Sequence, residues 1–135
     1  MEKIAEDLGI AKKVVFTGFI KEMPNVYKFI DIVVHASVDP EPFGQVIIEG
    51  MACGKPVVIS SHGGAKEVGT SGVDCIHYHP GDPKSLAEAI QLLISNPDKR
   101  REIGKAARET IVKQFGSERV QKRWEDFFQH YLSPY

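Results

Sequence analysis

The 135-residue sequence has only two cysteines, Cys53 and Cys75, too few for a disulfide scaffold and too isolated for a metal-ligand pattern. No apolar run approaches the ~20 residues that a membrane-spanning helix needs. The opening MEKIAEDLG is too charged for a secretory leader, so a cytoplasmic location is expected. Charge of one sign is not in excess either. With 17 Lys and Arg against 18 Asp and Glu the formal net charge is −1, which gives no electrostatic argument for a nucleic acid or an anionic membrane as partner. Low-complexity tracts and internal repeats are absent. What is present is the composition of a soluble globular domain, 42% hydrophobic and 26% charged, long enough for one core.

Short β-rich apolar runs alternate with helical patterns. Strands are expected at Val14 to Phe16, at Asp31 to Ala36 (DIVVHA), at Pro56 to Ser60 (PVVIS) and, with a weaker pattern, at Asp74 to Tyr78 (DCIHY). The middle two lack polar alternation, as strands covered on both faces of a parallel sheet do. Helices fit between them. One carries Ile4, Leu8 and Ile10 on one face, a second runs from Met23 to Ile30, and a third from Gly44 to Cys53. Gly54 with Pro56 beyond it stops the third, and Cys53 reads there as a small buried hydrophobe. Further helices are expected over Pro83 to Ile94 and Asp98 to Gln114, separated by the Asn96-Pro97 break. A last one, capped by Ser117, would carry Val120, Trp124, Phe127, Phe128 and Tyr131 as a packing stripe. The alternation predicts an α/β fold of doubly wound, Rossmann-like type with parallel strands and C-terminal helices.

The segment Glu41 to Val58, EPFGQVIIEGMACGKPVV, is the most informative stretch. In open α/β sheets ligands bind beyond the carboxyl ends of strands, where helices begin. The helix following DIVVHA starts at such a place, with unpaired N–H groups and the positive end of the macrodipole facing outward. Gly44 would let a ligand approach the backbone, and Pro42 fixes the chain direction before the turn. Glu41 would lie at the lip, and Glu49 more than one turn into the helix. Ionised carboxylates only accept hydrogen bonds, and the vicinal hydroxyls of a sugar or ribose offer matching donors. Spacing alone also fits a plain structural reading, with Glu41 favouring the helix start and Glu49 facing solvent. Both readings stay open at this point.

An ordered series of segments resembles a family over nearly the whole chain. Glu41 and Glu49, with PFGQVII between them, match the paired-glutamate motif of retaining, nucleotide-sugar-dependent glycosyltransferases of the GT-B type, a group that includes glycogen and sucrose synthases. The likeness extends to VVFTGFI and VYKFIDIVVHAS upstream, and to GMACGKPVVIS, GGAKEV and HPGDPKSLAEAI downstream. The resemblance implies that Glu41 contacts the transferred sugar and counts as the catalytic candidate. It implies that Glu49 accepts from the ribose hydroxyls, and that backbone N–H groups of Phe43, Gly44 and Gln45 hold sugar hydroxyls or the diphosphate. Ile20 and Lys21 would lie near the base. His62-Gly63-Gly64 either borders the site or forms a structural turn, and His35, His77 and His79 have no motif support. No metal and no cofactor are implied; the nucleotide-diphospho-sugar is the donor substrate.

The same resemblance marks what is not in the chain. The family's complete enzyme has a first, acceptor-binding domain, and its second domain opens with strands that would precede Met1. Residues 1–135 then correspond to the C-terminal donor-binding domain without its first βαβ portion. In the family's sheet order those absent strands lie between VVFTGF and DIVVHAS, so these two cannot be neighbours. Unpaired edges and exposed apolar surface are expected, with a missing N-terminal domain or a second copy of the chain as partner. Peripheral membrane attachment of the complete protein is compatible with the family. Donor binding, with the fragment inactive by itself, is one function class. A non-catalytic nucleotide-binding or protein-interaction module on the same fold is the other. A receiver domain would need clustered aspartates that are lacking, and a sugar epimerase would lack the paired glutamates.

Overall fold

The computed structural model describes residues 1–39, 44–119 and 122. In chain order it has α1 (Glu2–Asp7), α2 (Met23–Phe29), β1 (Val33–His35), α3 (Gln45–Ala52), β2 (Val57–Ser60), β3 (Ile76–Tyr78), α4 (Pro83–Ser95) and α5 (Pro97–Phe115), with 3-10 turns at Ala11–Lys13 and Gly63–Glu67. The three strands form one parallel sheet in the order β1-β2-β3. Val33 to His35 pair with Val57 to Ile59, and Val58 to Ser60 pair with Ile76 to Tyr78.

β2 is the central strand and every one of its residues is buried. Its side chains alternate between two cores, as the two-residue period of a strand requires. Val57 and Ile59 join Tyr27, Val33, Ile47, Met51, Ala107 and Ile111 on one side. Val58 joins Ile76, Tyr78, Ala89, Leu93 and Ile103 on the other. The expectation of two covered faces holds for β2 and fails for β1, where Val34 is 38% exposed. α4 packs on β2 and β3, and its cover does not reach Val34 on the outer strand.

Two further expectations are corrected. Val14 to Phe16 is not a strand: residues 14–20 have no regular secondary structure, and Val15 is 85% exposed. A β-prone run becomes a strand only beside a partner, and no described strand lies next to it. The N-terminal stripe is also absent. α1 ends at Asp7, Ile4 and Leu8 are exposed, Ile10 lies past the helix, and Ala5 is the residue that α1 buries. Phe19 and Phe29, 93% and 88% exposed, add to this uncovered apolar surface.

Helix ends follow local chemistry. Asp82 accepts from the N–H groups of Lys84 and Ser85 (2.9 and 3.2 Å) ahead of Pro83, a capped start for α4. α3 stops in a Schellman arrangement: Gly54, at φ 71°, donates to the Met51 carbonyl and Lys55 to that of Gly50. Cys53 caps that end and packs against the margin of the core half-buried, less deeply than the small buried hydrophobe expected. The final helix begins with helical residues at 117–119; its aromatic stripe from Val120 to Tyr131 lies outside the described residues.

Candidate functional site

The carboxyl ends of β1 and β2 and the start of α3 meet on one side of the sheet. Gly44 is the N-cap of α3, at φ 62° and ψ 59°, and helical geometry begins at Gln45. The glycine therefore stands at the turn into the helix and not inside it. No side chain caps α3 among the described residues, so the first N–H groups of its opening turn keep their anion-binding capacity. The Ile47 N–H is taken by the Gly44 carbonyl at 2.9 Å.

Glu49 lies on the second turn of α3, half-buried, and each of its carboxylate oxygens accepts one hydrogen bond. Tyr27 Oη of α2 donates to Oε2 at 3.1 Å, and Gln45 Nε2 donates to Oε1 at 3.1 Å. Tyr27 is only 1% exposed. Burial, then the hydrogen bond to Glu49 and its negative charge, push the Tyr27 hydroxyl up to about 12, so it remains a proton donor at neutral pH.

Of the residues proposed for the site, Gly44, Gln45 and Glu49 are brought together by α3. Glu41 and Phe43 lie outside the described residues. Ile20 and Lys21 precede α2 in irregular chain, half-buried and exposed respectively, and no hydrogen bond joins them to Glu49 among the described residues. His62 is the N-cap of the 3-10 turn Gly63–Glu67, and its Nδ1 is 3.3 Å from the Val38 carbonyl. It thus ties the loop after β2 to the loop after β1, a structural contact at the border of the site. His35 is buried at the end of β1. His79 donates its backbone N–H to Ser85 Oγ (3.0 Å), a helix-start contact. His77 sits on β3; burial lowers its proton affinity, with the nearby Asp74 charge acting in the opposite direction.

Sequence reasoning missed Tyr27 and Ser60. Ser60 ends β2 with its hydroxyl buried and without a hydrogen-bond partner among the described residues. A separate cavity of about 510 Å3, lined by Thr70, Asp74, Thr110, Lys113, Gln114 and Arg119, opens at the other, amino-terminal end of the sheet. None of Gly44, Gln45 and Glu49 lines it.

A parallel sheet with helices on both faces, and a polar cluster at the helix start beyond its carboxyl ends, define a Rossmann-like α/β domain. The family model described as "Glycosyl transferases group 1" matches residues 1–110, and the chain belongs to that family. An uncharacterized glycosyltransferase of Methanocaldococcus jannaschii is 36% identical over 124 residues, 90% of this chain and 32% of the relative. The N-acetyl-alpha-D-glucosaminyl L-malate synthase of Bacillus anthracis is 30% identical over 129 residues, 93% of this chain and 33% of that protein. The crystal structure of Anabaena HepE in complex with UDP superposes with a TM-score of 0.92 at 33% identity, over 95% of this chain and 35% of that one. The fold is accordingly that of a GT-B glycosyltransferase domain, and the chain spans about a third of the length of these relatives. No described helix is long and apolar enough to cross a membrane.

Proposed function

We propose that this chain is the donor-binding domain of a retaining glycosyltransferase, taking a nucleotide-diphospho-sugar whose hexosyl group goes to an acceptor held elsewhere in the complete protein. The observation that carries this reading is the state of Glu49. Its carboxylate is fixed by two donors, from α2 and from α3, and each oxygen keeps a lone pair for a ligand hydroxyl. A residue serving only solvation would not be held in this way. The family membership supplies the substrate class, and HepE has been solved with UDP.

In this reading the ribose diol donates to Glu49, and the diphosphate lies at the start of α3, where N–H groups and the helix dipole favour negative charge. Glu41 and the backbone at Phe43 and Gly44 address the transferred sugar. As the sugar–phosphate bond breaks, charge accumulates on the leaving diphosphate, and the same helix start stabilises it. Transfer with retained configuration and the absence of any cofactor requirement belong to the same proposal. So does the assignment of residues 1–135 to the C-terminal domain without its first βαβ portion.

Calorimetric titration of UDP and UDP-glucose into the chain tests the reading, with Glu49→Ala as control. Saturable binding weakened at least about tenfold by Glu49→Ala is expected, the loss of hydrogen bonds to a charged acceptor. No binding, or equal binding by the variant, removes the donor-site reading in favour of a non-catalytic module.

A further inference from the structure

Glutamate has three rotatable side-chain bonds, and fixing such a side chain costs rotamer entropy. An acceptor that is already fixed binds its ligand without that loss. The two clamps on Glu49 differ in quality. Gln45 is exposed, on the same helix four residues away, and water competes for its amide. Tyr27 comes from a different helix, packs in the core with Ile47 and Met51, and is closed off from solvent. Its ring cannot move without moving the core, so its hydroxyl fixes Oε2 in the frame of the sheet.

We propose that Tyr27 is a positioning residue for nucleotide binding: its buried hydroxyl holds Glu49 so that the two remaining acceptor directions match the 2′ and 3′ hydroxyls of a ribose. The inference rests on the donor-site reading above and adds to it a role for a residue outside the paired-glutamate segment. Tyr27 touches no ligand in this assignment. It acts through Glu49, and discrimination between ribose and deoxyribose is the property it controls. A tyrosine with only a packing role would affect stability and leave that discrimination unchanged.

The test compares UDP with 2′-deoxy-UDP by calorimetry on the 135-residue chain and on Tyr27→Phe, which keeps the ring and removes the hydroxyl. The chain is expected to favour UDP. Tyr27→Phe is expected to weaken UDP about tenfold, because Glu49 must then be ordered when the ligand binds, and 2′-deoxy-UDP by a smaller factor, because it meets Glu49 through one hydroxyl only, so the ratio falls. Circular dichroism checks that the variant is folded. Gln45→Ala, at an exposed position, supplies a second handle that does not touch the core; it is expected to lower the same ratio by a smaller factor. A folded Tyr27→Phe with an unchanged ratio overturns the positioning role and leaves the donor site standing. If Tyr27→Phe does not fold, the native chain labelled with 3-fluorotyrosine serves instead: UDP is expected to shift the Tyr27 fluorine resonance through Glu49 more than 2′-deoxy-UDP does, and equal shifts overturn the positioning role. A native chain that binds both nucleotides equally well overturns the positioning role, and one that binds neither overturns the donor-site reading with it.

Discussion

Gly44 occupies the left-handed region, where an L-residue with a Cβ is disfavoured by roughly 1–2 kcal/mol. A Cβ built there would also stand 2.5 Å from Ile47 Cδ1, on a side chain that is fully buried. Gly44→Ala is therefore expected to lower unfolding free energy by at least about 1–2 kcal/mol, read as a shift of the urea midpoint at unchanged slope. The sequence invites a ligand-centred reason for this glycine, close approach of a bound molecule. The nearer reason is internal: the chain enters α3 through a backbone conformation that only glycine tolerates without strain. Glu49 is different, because a carboxylate among Val46, Ile47, Ile48 and Met51 is conspicuous in the sequence itself. Its partner Tyr27 is not. The two are 22 positions apart on separate helices, and nothing in a linear pattern signals that their side chains meet.

Among the elements, the turn that leads into β3 is joined to α5 by a polar contact. Asp74, 5% exposed, accepts from the Thr70 N–H at 2.6 Å through Oδ1 and from Thr110 Oγ1 of α5 at 2.7 Å through Oδ2. Thr110→Val keeps the shape and leaves one oxygen of a buried carboxylate short of its donor. A loss of about 1.5–3 kcal/mol is expected, the range for a hydrogen bond to a charged group, measured by denaturant unfolding. Asp74→Asn in the same background should recover part of it, since an amide left short of a donor costs less than a carboxylate. Elements whose signal is local were legible without coordinates: β2 from an apolar run, α4 from its helical spacing, α3 from its Gly54 stop. Val14 to Phe16 was misread because its composition reports β-propensity but not whether a neighbouring strand exists. α1 was misread for a related reason, since helical spacing of Ile4 and Leu8 does not supply a surface to cover them.

At the scale of the whole molecule the burial is uneven. The two cores involve residues from Met23 onward, while residues 1–22 contribute Ala5 as their buried side chain. Local stability follows buried contacts, so this N-terminal arm should open at a far lower free energy than the sheet. Brief digestion with trypsin is expected to cut after Lys12, Lys13 or Lys21 well before Lys55 or Lys66, which lie within the segments that frame β2. Cys75 gives an independent reading of the same hierarchy. It is fully buried, and burial, followed by the neighbouring Asp74, pushes its thiol up to about 12, so native Cys75 is both inaccessible and protonated at neutral pH. A thiol reagent should therefore modify half-buried Cys53 first and reach Cys75 only when the sheet opens. If the arm is cut while Cys75 remains protected, the arm and the sheet are separate units of stability. Cys75 reacting at the rate of arm cleavage would instead mean that the sheet depends on residues 1–22, and that the few contacts they make contribute far more than their burial indicates.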